Sequence, residues 1–392
     1  MNKKYDFDRI INRENTDCVK YDLREQIFGT KDVLPMWVAD MDFEVPDFIR
    51  DAVMERARHP VFGYTFRPVR FYEAVAGWLK RRHGWDTDPG LISFSPGIVP
   101  AINMCVMAFT EPGDKIVIQP PVYFPFFSAV TEHKRELLYN QLINEGGVYR
   151  MDPDQLESLF KKGAKMLILS HPHNPVGRVW RTDELKILGE LCVKYGVTVI
   201  SDEIHSDLIM PGYKHQPLAI TGNDIEKQTI TCVAPSKTFN LAGMHSSALI
   251  FGDKKMKDKY EAVLDGLHSG GGNLFGMVAM EAAYRNGDEW LRQLLEYLHA
   301  NYEFLKKRMH QAAPDVIISP LEATYLVWLD FSYLGFNDEQ LKEFIIRKAR
   351  LGLNDGPQFG PGGSGFQRMN IAAPQSIIDT ALERLFKALS MV

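Results

Sequence analysis

The chain has 392 residues, of which 45% are hydrophobic and 24% charged. It is therefore long enough for two domains with large cores and too apolar to be disordered. Its 45 Lys and Arg residues against 50 Asp and Glu residues give a formal net charge of −5, which argues against broad nucleic-acid binding. Because the sequence has no run of about 18 apolar residues, we predict no membrane span.

The cysteines and the N-terminus indicate where the protein acts. Cys18, Cys105, Cys192 and Cys232 lie far apart and form no CxxC pair, which is typical of reduced thiols in an intracellular protein. We expect three of them to pack in apolar segments, and we predict no metal site. The N-terminal residues carry charges but no apolar segment of the kind found in a signal peptide. These features predict a cytoplasmic enzyme.

The first two thirds of the chain carry a regular alternation of patterns. Two helices come first, one that must end before Pro60 and one over about 69–82. Short apolar runs then alternate with helical patterns, and these runs lie at 91–94, 115–118, 166–169, 197–200, 229–233 and 247–251. The clearest helix between them spans Thr182–Tyr195, with Thr182 as its N-cap. This alternation predicts a mostly parallel sheet covered by helices on both faces.

The pattern changes at about Gly287. A long helix there is followed by an apolar strand at 324–329 and by two further helices. We therefore predict an α/β protein of two domains, a large one over 46–286 and a smaller α+β domain formed by 1–45 together with 287–392.

Polar residues follow several of the predicted strands, where an α/β protein binds its ligands. Ser236 and Lys237 come after the run at 229–233, and a lysine at that point can form a Schiff base with an aldehyde. Asp202 follows another run, and a buried carboxylate needs a cationic or donating partner such as a protonated ring nitrogen. Taken alone, Lys237 also fits a solvated surface turn, and Asp202 also fits a helix cap.

Two more strand ends carry candidate binding groups. Asn174 precedes Pro175, which holds it extended or in a turn, so its amide can point into a cleft. Simple turn chemistry explains this asparagine equally well. The sequence Ser95-Pro96-Gly97 leads from a strand into a helix, whose free N–H groups can bind an anion. This motif is weak alone, because many strand-to-helix junctions need such residues.

The joint occurrence of these features is far more specific than any one of them. The chain resembles the pyridoxal-phosphate (PLP) enzymes of the aminotransferase-like fold (fold type I) over nearly its whole length, through Ser95-Pro96-Gly97, Tyr123, Asn174-Pro175-x-Gly177, Asp202, Ser236-Lys237 and Arg368 in that order. Within this superfamily it resembles the cystathionine β-lyase type of carbon–sulfur lyase, the MalY/PatB group, through longer strings at 36–43, 63–65, 173–180, 201–207 and 235–243.

The resemblance implies a mostly parallel seven-stranded sheet and PLP as the cofactor. Lys237 would form the Schiff base with the cofactor aldehyde and, once displaced, remove the Cα proton of the substrate. Asp202 would keep the pyridine nitrogen protonated. Asn174 would donate to the phenolic oxygen, and His205 stands where many relatives have a tyrosine for that contact. Tyr123 would stack on the ring. His205 and Tyr123 also fit ordinary core positions.

The resemblance also implies how the phosphate and the substrate are held. The phosphate would lie on the backbone of Gly97 and Ile98, with the Ser236 hydroxyl beside it. Tyr64 would reach the phosphate or the substrate from the other subunit, because active sites in this family lie at a homodimer interface. Arg368 would bind the substrate carboxylate with its bidentate guanidinium, although a surface arginine is the plain alternative.

Three features of the site are left open by the sequence. His245 occupies the place where the wider superfamily has an arginine, so no cation is guaranteed there. Ala323 replaces a glycine that relatives commonly have, and it would narrow the substrate pocket. Trp37 and Trp180 fit pocket walls and core positions equally well, and we take Trp37 as a candidate substrate contact.

The activity that the resemblance implies is β-elimination from a sulfur-containing amino acid, giving pyruvate, ammonia and a thiol. An aminotransferase on the same scaffold is the nearest alternative, and motif spacing does not separate the two. A non-catalytic PLP-binding regulator is disfavoured because a binder has no need of the Schiff-base lysine. A nicotinamide-dependent dehydrogenase is disfavoured because no GxGxxG motif follows an early strand.

Overall fold

The computed structural model describes residues 3–222 and 224–392. Its α-helices are α1 (Val19–Asp22), α2 (Arg24–Phe28), α3 (Asp47–Arg58), α4 (Val69–His83), α5 (Ile98–Phe109), α6 (Pro125–Thr131), α7 (Pro153–Lys161), α8 (Thr182–Tyr195), α9 (Pro235–Thr238), α10 (Lys254–Gly266), α11 (Leu274–Asn286), α12 (Asp288–Ala312), α13 (Asp338–Glu343) and α14 (Gln375–Leu389). Its β-strands are β1 (Leu34–Pro35), β2 (Ile92–Ser95), β3 (Lys115–Ile118), β4 (Glu136–Tyr139), β5 (Ile143–Glu145), β6 (Val148–Arg150), β7 (Ala164–Ser170), β8 (Thr198–Asp202), β9 (Thr229–Val233), β10 (Ser247–Phe251), β11 (Ile317–Ile318), β12 (Leu326–Asp330), β13 (Leu351–Gly352), β14 (Asn354–Asp355) and β15 (Phe366–Asn370).

Seven strands form the large sheet, in the order β2-β10-β9-β8-β7-β3-β4. β10 runs antiparallel to both of its neighbours, and the other pairings in the sheet are parallel. β7, β8 and β9 are buried almost throughout, which explains why their sequences are nearly continuous apolar runs rather than alternating ones. The predicted α/β fold with a mostly parallel seven-stranded sheet is confirmed.

The boundaries of the predicted elements are mostly confirmed. Three of the six predicted apolar runs coincide with β3, β9 and β10 at both ends, and the other three match to within two residues. β4 was not predicted, because it lies at the sheet edge with its side chains exposed or half-buried and so lacks an apolar run. The prediction of Thr182 as a helix cap is wrong. Arg181 is the N-cap, since its backbone N–H donates to Glu184 Oε2 at 2.8 Å.

A second, antiparallel sheet of four strands has the order β11-β12-β15-β14 and packs with α12 and α14. β1 pairs with β13, so the N-terminal segment lies beside the C-terminal part of the chain. The four cysteines are free, and three of them are buried as predicted. Among the described residues, no helix has the length and apolarity to cross a bilayer, and no cluster of metal-ligating side chains occurs.

The strand directions bring the candidate site residues to one edge of the large sheet. β7, β8 and β9 are parallel, so their carboxyl ends lead into the segments that carry Asn174, Asp202 and Lys237 at the same edge. β2 is antiparallel to β10, as β9 is, so β2 also ends there and continues through Gly97 into α5. Four separate stretches of sequence therefore meet at the place where such sheets bind ligands.

Candidate active site

A cavity of about 390 Å³ lies at this edge of the sheet. Its walls include eight of the residues that the sequence singled out, namely Gly97, Ile98, Tyr123, Asn174, Asp202, His205, Ser236 and Lys237. His245 and Ser246 also line it. The structure thus gathers the predicted cofactor-binding residues, except Tyr64, around one cavity.

Lys237 lies on α9 immediately after β9, and its Nζ donates to the carbonyl oxygen of Ala39 at 2.7 Å. Burial lowers the pKa of Lys237 to about 8, although the charges of Asp40 and Asp202 act in the opposite direction. An amine with such a pKa is substantially uncharged near pH 8. Since the free amine is the nucleophile, this environment favours attack on an aldehyde.

Asp202 ends β8 with its carboxyl group buried, and its Oδ1 accepts a hydrogen bond from the Ile204 N–H at 3.2 Å. Burial raises the pKa of Asp202 to about 7, while the Lys237 charge acts to lower it. Within the described ranges no side-chain cation lies at ion-pair distance from this carboxyl. A ligand with a protonated ring nitrogen would supply the partner that the group needs.

His205 offers a second unsatisfied group in the same cavity. Its ring is buried, and its Nδ1 has no hydrogen-bond partner among the residues that the structure describes. Burial, followed by the charges of Lys237 and Arg368, holds the pKa of His205 well below its usual value, so the ring is neutral. A neutral imidazole can donate to or accept from a ligand oxygen.

These groups fit PLP. Asp202 suits the pyridine nitrogen, His205 and Asn174 suit the phenolic oxygen, and Lys237 suits the aldehyde. The N-terminus of α5, a helix of 12 residues beginning at Ile98, opens onto the same cavity and suits the phosphate. The Ser236 hydroxyl is a further donor at the cavity wall, whereas the Ser246 hydroxyl donates to Met280 Sδ at 3.3 Å. His245 lies at this cavity wall too, but its side chain is exposed.

Arg368 on β15 lies behind Asn174 and is 3% exposed. Its Nη1 donates to Asn174 Oδ1 at 2.9 Å, and its Nη2 donates to Asn354 Oδ1 at 2.6 Å and to the Trp37 carbonyl at 3.0 Å. Burial lowers the pKa of Arg368 to about 10, which leaves it charged at neutral pH. The surface-arginine alternative is therefore excluded, and the guanidinium is already fixed in orientation before substrate arrives.

Both tryptophans have structural roles. The Trp37 indole donates to the Lys20 carbonyl at 3.1 Å and packs edge-on against Phe28, so its side chain does not line the cavity. The prediction of Trp37 as a substrate contact is thus not reproduced within one chain, and only its backbone carbonyl reaches Arg368. Trp180 is fully buried, and its indole N–H donates a hydrogen bond to the Ser170 carbonyl at 3.0 Å.

Tyr64 and Ala323 also lie away from the cavity lining. Ala323 is fully buried, and its N–H donates to the Gly177 carbonyl at 3.0 Å, so it does not narrow the pocket directly. Tyr64 is fully exposed, in a segment without regular secondary structure between α3 and α4. Its predicted role requires a second subunit and stays a prediction.

Sequence reasoning missed three groups that shape the site. The Ala39 carbonyl accepts from Lys237, and Tyr325 donates its hydroxyl to the same oxygen at 2.9 Å. Asn354 holds Arg368 from the neighbouring strand β14. A backbone carbonyl leaves no side-chain signal in a sequence, and Asn354 lies in no recognisable motif. Tyr325 is two residues after Ala323, which the sequence analysis had singled out, but no sequence feature indicated a role for the Tyr325 hydroxyl.

Comparison with known proteins agrees with this site. The chain matches the model of the class I and II aminotransferase family over residues 31–385 and belongs to that family. It is 44% identical, over 98% of its length, to cystathionine β-lyase PatB of Bacillus subtilis, all of which is covered. The PLP-containing structure of cystalysin from Treponema denticola is 36% identical, with a TM-score of 0.96 and coverage of 99% of this chain and 100% of that one.

A second solved structure has a similar TM-score and a higher sequence identity. It is a PLP-bound protein of Clostridium difficile 630 that carries a provisional aminotransferase name. It is 44% identical to this chain, with a TM-score of 0.97 and coverage of 98% of this chain and 100% of that one. The relatives therefore agree on fold type I and on PLP, while their names divide between lyase and aminotransferase.

Proposed function

We propose that this chain is a PLP-dependent carbon–sulfur β-lyase that converts a sulfur-containing amino acid, such as cystathionine or cysteine, to pyruvate, ammonia and a thiol. The observation that carries the proposal is the buried pair Lys237 and Asp202 in one cavity whose other donors fit PLP. The identity to a cystathionine β-lyase over the whole chain favours elimination. Aminotransfer is the second candidate, because the same groups would serve it.

Each residue of the cavity has a separate proposed role in the reaction. The cofactor, when bound, supplies a ring that accepts electrons from the substrate Cα. Asp202 holds a proton on the ring nitrogen, which keeps that ring electron-poor. Lys237 would hold the cofactor aldehyde and, as a free amine, would remove the Cα proton, and its lowered pKa makes it a competent base near neutral pH. Tyr123, which lines the cavity, would pack on the ring face.

Arg368 is proposed to bind the substrate carboxylate. Its guanidinium is buried and positively charged, and two asparagine oxygens and a carbonyl fix its plane. Such a preorganised fork pairs with a carboxylate through two parallel hydrogen bonds. This contact would orient the Cα–H bond toward the Lys237 side of the cavity.

The proposal is tested by incubating the holoenzyme with L-cystathionine in the absence of any keto acid. We expect continuous formation of pyruvate, followed with a coupled dehydrogenase, together with release of a free thiol. L-Alanine with a keto acid is the matched control for aminotransfer. Loss of the visible cofactor absorbance after one equivalent of substrate, with no pyruvate, would instead assign the aminotransferase reaction.

We propose that the chain forms the two domains predicted from the sequence. The cofactor-binding groups from Gly97 to Lys237 all belong to 46–286, whereas Arg368 and the Ala39 carbonyl belong to the segments 1–45 and 287–392. The small domain would then carry the substrate carboxylate toward a cofactor held by the large one. The free cysteines support our further proposal that the enzyme acts in the cytoplasm.

We also propose that the active enzyme is a homodimer with shared sites. The segment between α3 and α4 and the first turn of α4 expose several large apolar side chains, namely Val61, Phe62, Tyr64, Phe66 and Val69. A concentrated run of this kind on a protein surface is typical of an interaction site. Covering it with a second copy would bring Tyr64 to the partner's cavity.

Subunit complementation tests the shared site. Tyr64→Ala and Lys237→Ala should each be nearly inactive alone, while their coexpressed mixture should regain about a quarter of the wild-type activity, since half of the dimers are hybrids with one intact site. A mixture of Asp202→Asn with Lys237→Ala is the control and should regain nothing, because both residues belong to the same chain's half of the site. If the first mixture stays as inactive as its components, Tyr64 does not act across subunits.

A further inference from the structure

A buried carboxylate that the reaction does not use lies behind the active-site cavity. Asp207 is 4% exposed and does not line the cavity. Its oxygens accept the Trp78 indole N–H at 3.1 Å and the Thr238 hydroxyl at 2.9 Å, and the His83 Nε2 lies 3.2 Å from Oδ1. Three donors from two distant parts of the chain therefore converge on one side chain.

The ionisation of Asp207 suits this role as a common acceptor. Burial alone would raise its pKa, but the hydrogen bond and charge of His83, with the charge of Arg82, lower the pKa below its usual value. The carboxyl is thus ionised near neutral pH and acts only as an acceptor. Hydrogen bonds to an ionised acceptor are roughly twice as strong as those between neutral groups.

Thr238 connects this acceptor to the reacting lysine. It follows Lys237 directly, and both lie on α9, which has only four residues and cannot be stable through its own hydrogen bonds. Phe239, the next residue, packs edge-on against Trp78 with ring centroids 5.7 Å apart. The position of the lysine backbone therefore depends on contacts made by the residues that follow it.

We propose that Asp207 is a positioning residue for the Schiff-base lysine, acting through the Thr238 hydroxyl. Asp207 lies on the segment that follows Asp202, so one stretch of chain holds both the carboxylate for the ring nitrogen and the anchor of the lysine. The link fixes the amine relative to the ring that Asp202 orients. This inference rests on the proposed PLP chemistry but not on the choice between elimination and aminotransfer.

The test compares Thr238→Val, which removes the hydroxyl and keeps the shape, with Thr238→Ser, which keeps the hydroxyl. In the holoenzyme we expect Thr238→Val to lower kcat about tenfold with KM changed less than about twofold, because a misplaced amine impairs the chemical step and leaves substrate binding intact. When PLP is added back to cofactor-free protein, the visible Schiff-base band should return about tenfold more slowly. Thr238→Ser should restore both rates to near wild type.

Thr229→Val is the matched control, since the buried Thr229 hydroxyl also donates a hydrogen bond, to the Ile225 carbonyl at 2.8 Å, at the far end of β9. It should lower the melting temperature without slowing return of the band. Equal slowing in Thr229→Val and Thr238→Val, or no slowing in Thr238→Val, would overturn the proposal. The readout needs no substrate, so it stands even if the wild type makes no pyruvate.

Discussion

Replacing Lys237 with alanine is expected to lower turnover by about 10³-fold or more, because the same amine binds the cofactor and moves the Cα proton. The purified variant should lack the visible absorbance of the Schiff base. After borohydride reduction of the wild type, mass spectrometry should find the cofactor on the peptide that contains Lys237. Activity would be followed as pyruvate release under saturating substrate and added PLP.

Lys237→Arg provides the control for this result. It keeps a cation beside the Ala39 carbonyl but cannot form a Schiff base, so it should be as inactive as the alanine variant. Because the Lys237 side chain lines the cavity rather than packing in the core, both variants should remain folded, which circular dichroism can check. Persistence of the visible band, or a reduced adduct on another peptide, would show that a different lysine holds the cofactor.

Asp202→Asn is expected to lower kcat by about 10²–10³-fold, similar to the loss of one preorganised charge-stabilising group in other enzymes. The amide cannot hold a proton on the ring nitrogen, so the electron-accepting capacity of the ring falls. KM should change much less, because Arg368 and its asparagine partners are untouched. Steady-state kinetics on PLP-saturated protein measure both constants. An unchanged kcat would remove Asp202 from the proposed role.

The cofactor-free protein offers an independent check on Asp202. Its folded pKa, about 7, lies above the unfolded value of 3.8, so the free energy of unfolding should fall as pH rises between these values. Asp202→Asn removes this dependence. From about pH 5 to 7.5, the melting temperature of the cofactor-free wild type should therefore fall by about 2 °C more than that of the variant. A parallel response of the two proteins would contradict the raised pKa.

How far the sequence could predict the structure depended on what each residue contributes. Strands that are buried on both faces form continuous apolar runs in the sequence, so β9 and β10 were located to the residue, whereas the half-exposed edge strand β4 gave no such signal. Asp202 and Lys237 were singled out because each follows a predicted buried strand, and the joint occurrence of the family motifs then favoured a site over a helix cap or a surface turn. The remaining elements of the site depend on tertiary contacts between distant segments.

The missed groups show why the rest could not be read from sequence. Asn354 contacts Arg368 only because β14 pairs with β15 in a register that places the two residues opposite each other. No local sequence pattern predicts the register of two separate strands. The side chain of Trp37 turns toward Phe28 and the α1 backbone rather than the cavity, and no local pattern decides that direction. The predicted role of Tyr64 depends on how two subunits assemble, which the sequence of one chain does not show.

The carbonyl of Ala39 serves two donors, and this has a consequence for loading the enzyme. Before the cofactor arrives, the lysine amine rests on this oxygen, which must lose that hydrogen bond when the amine condenses with an aldehyde. The Tyr325 hydroxyl still donates to the same oxygen, so the Ala39 carbonyl is not left without a donor when the lysine amine moves away. The Ala39 carbonyl therefore keeps a hydrogen bond both when the Lys237 amine is free and when it is bound to the cofactor. The lysine can change between these two states at every turnover without leaving a buried backbone oxygen unpaired.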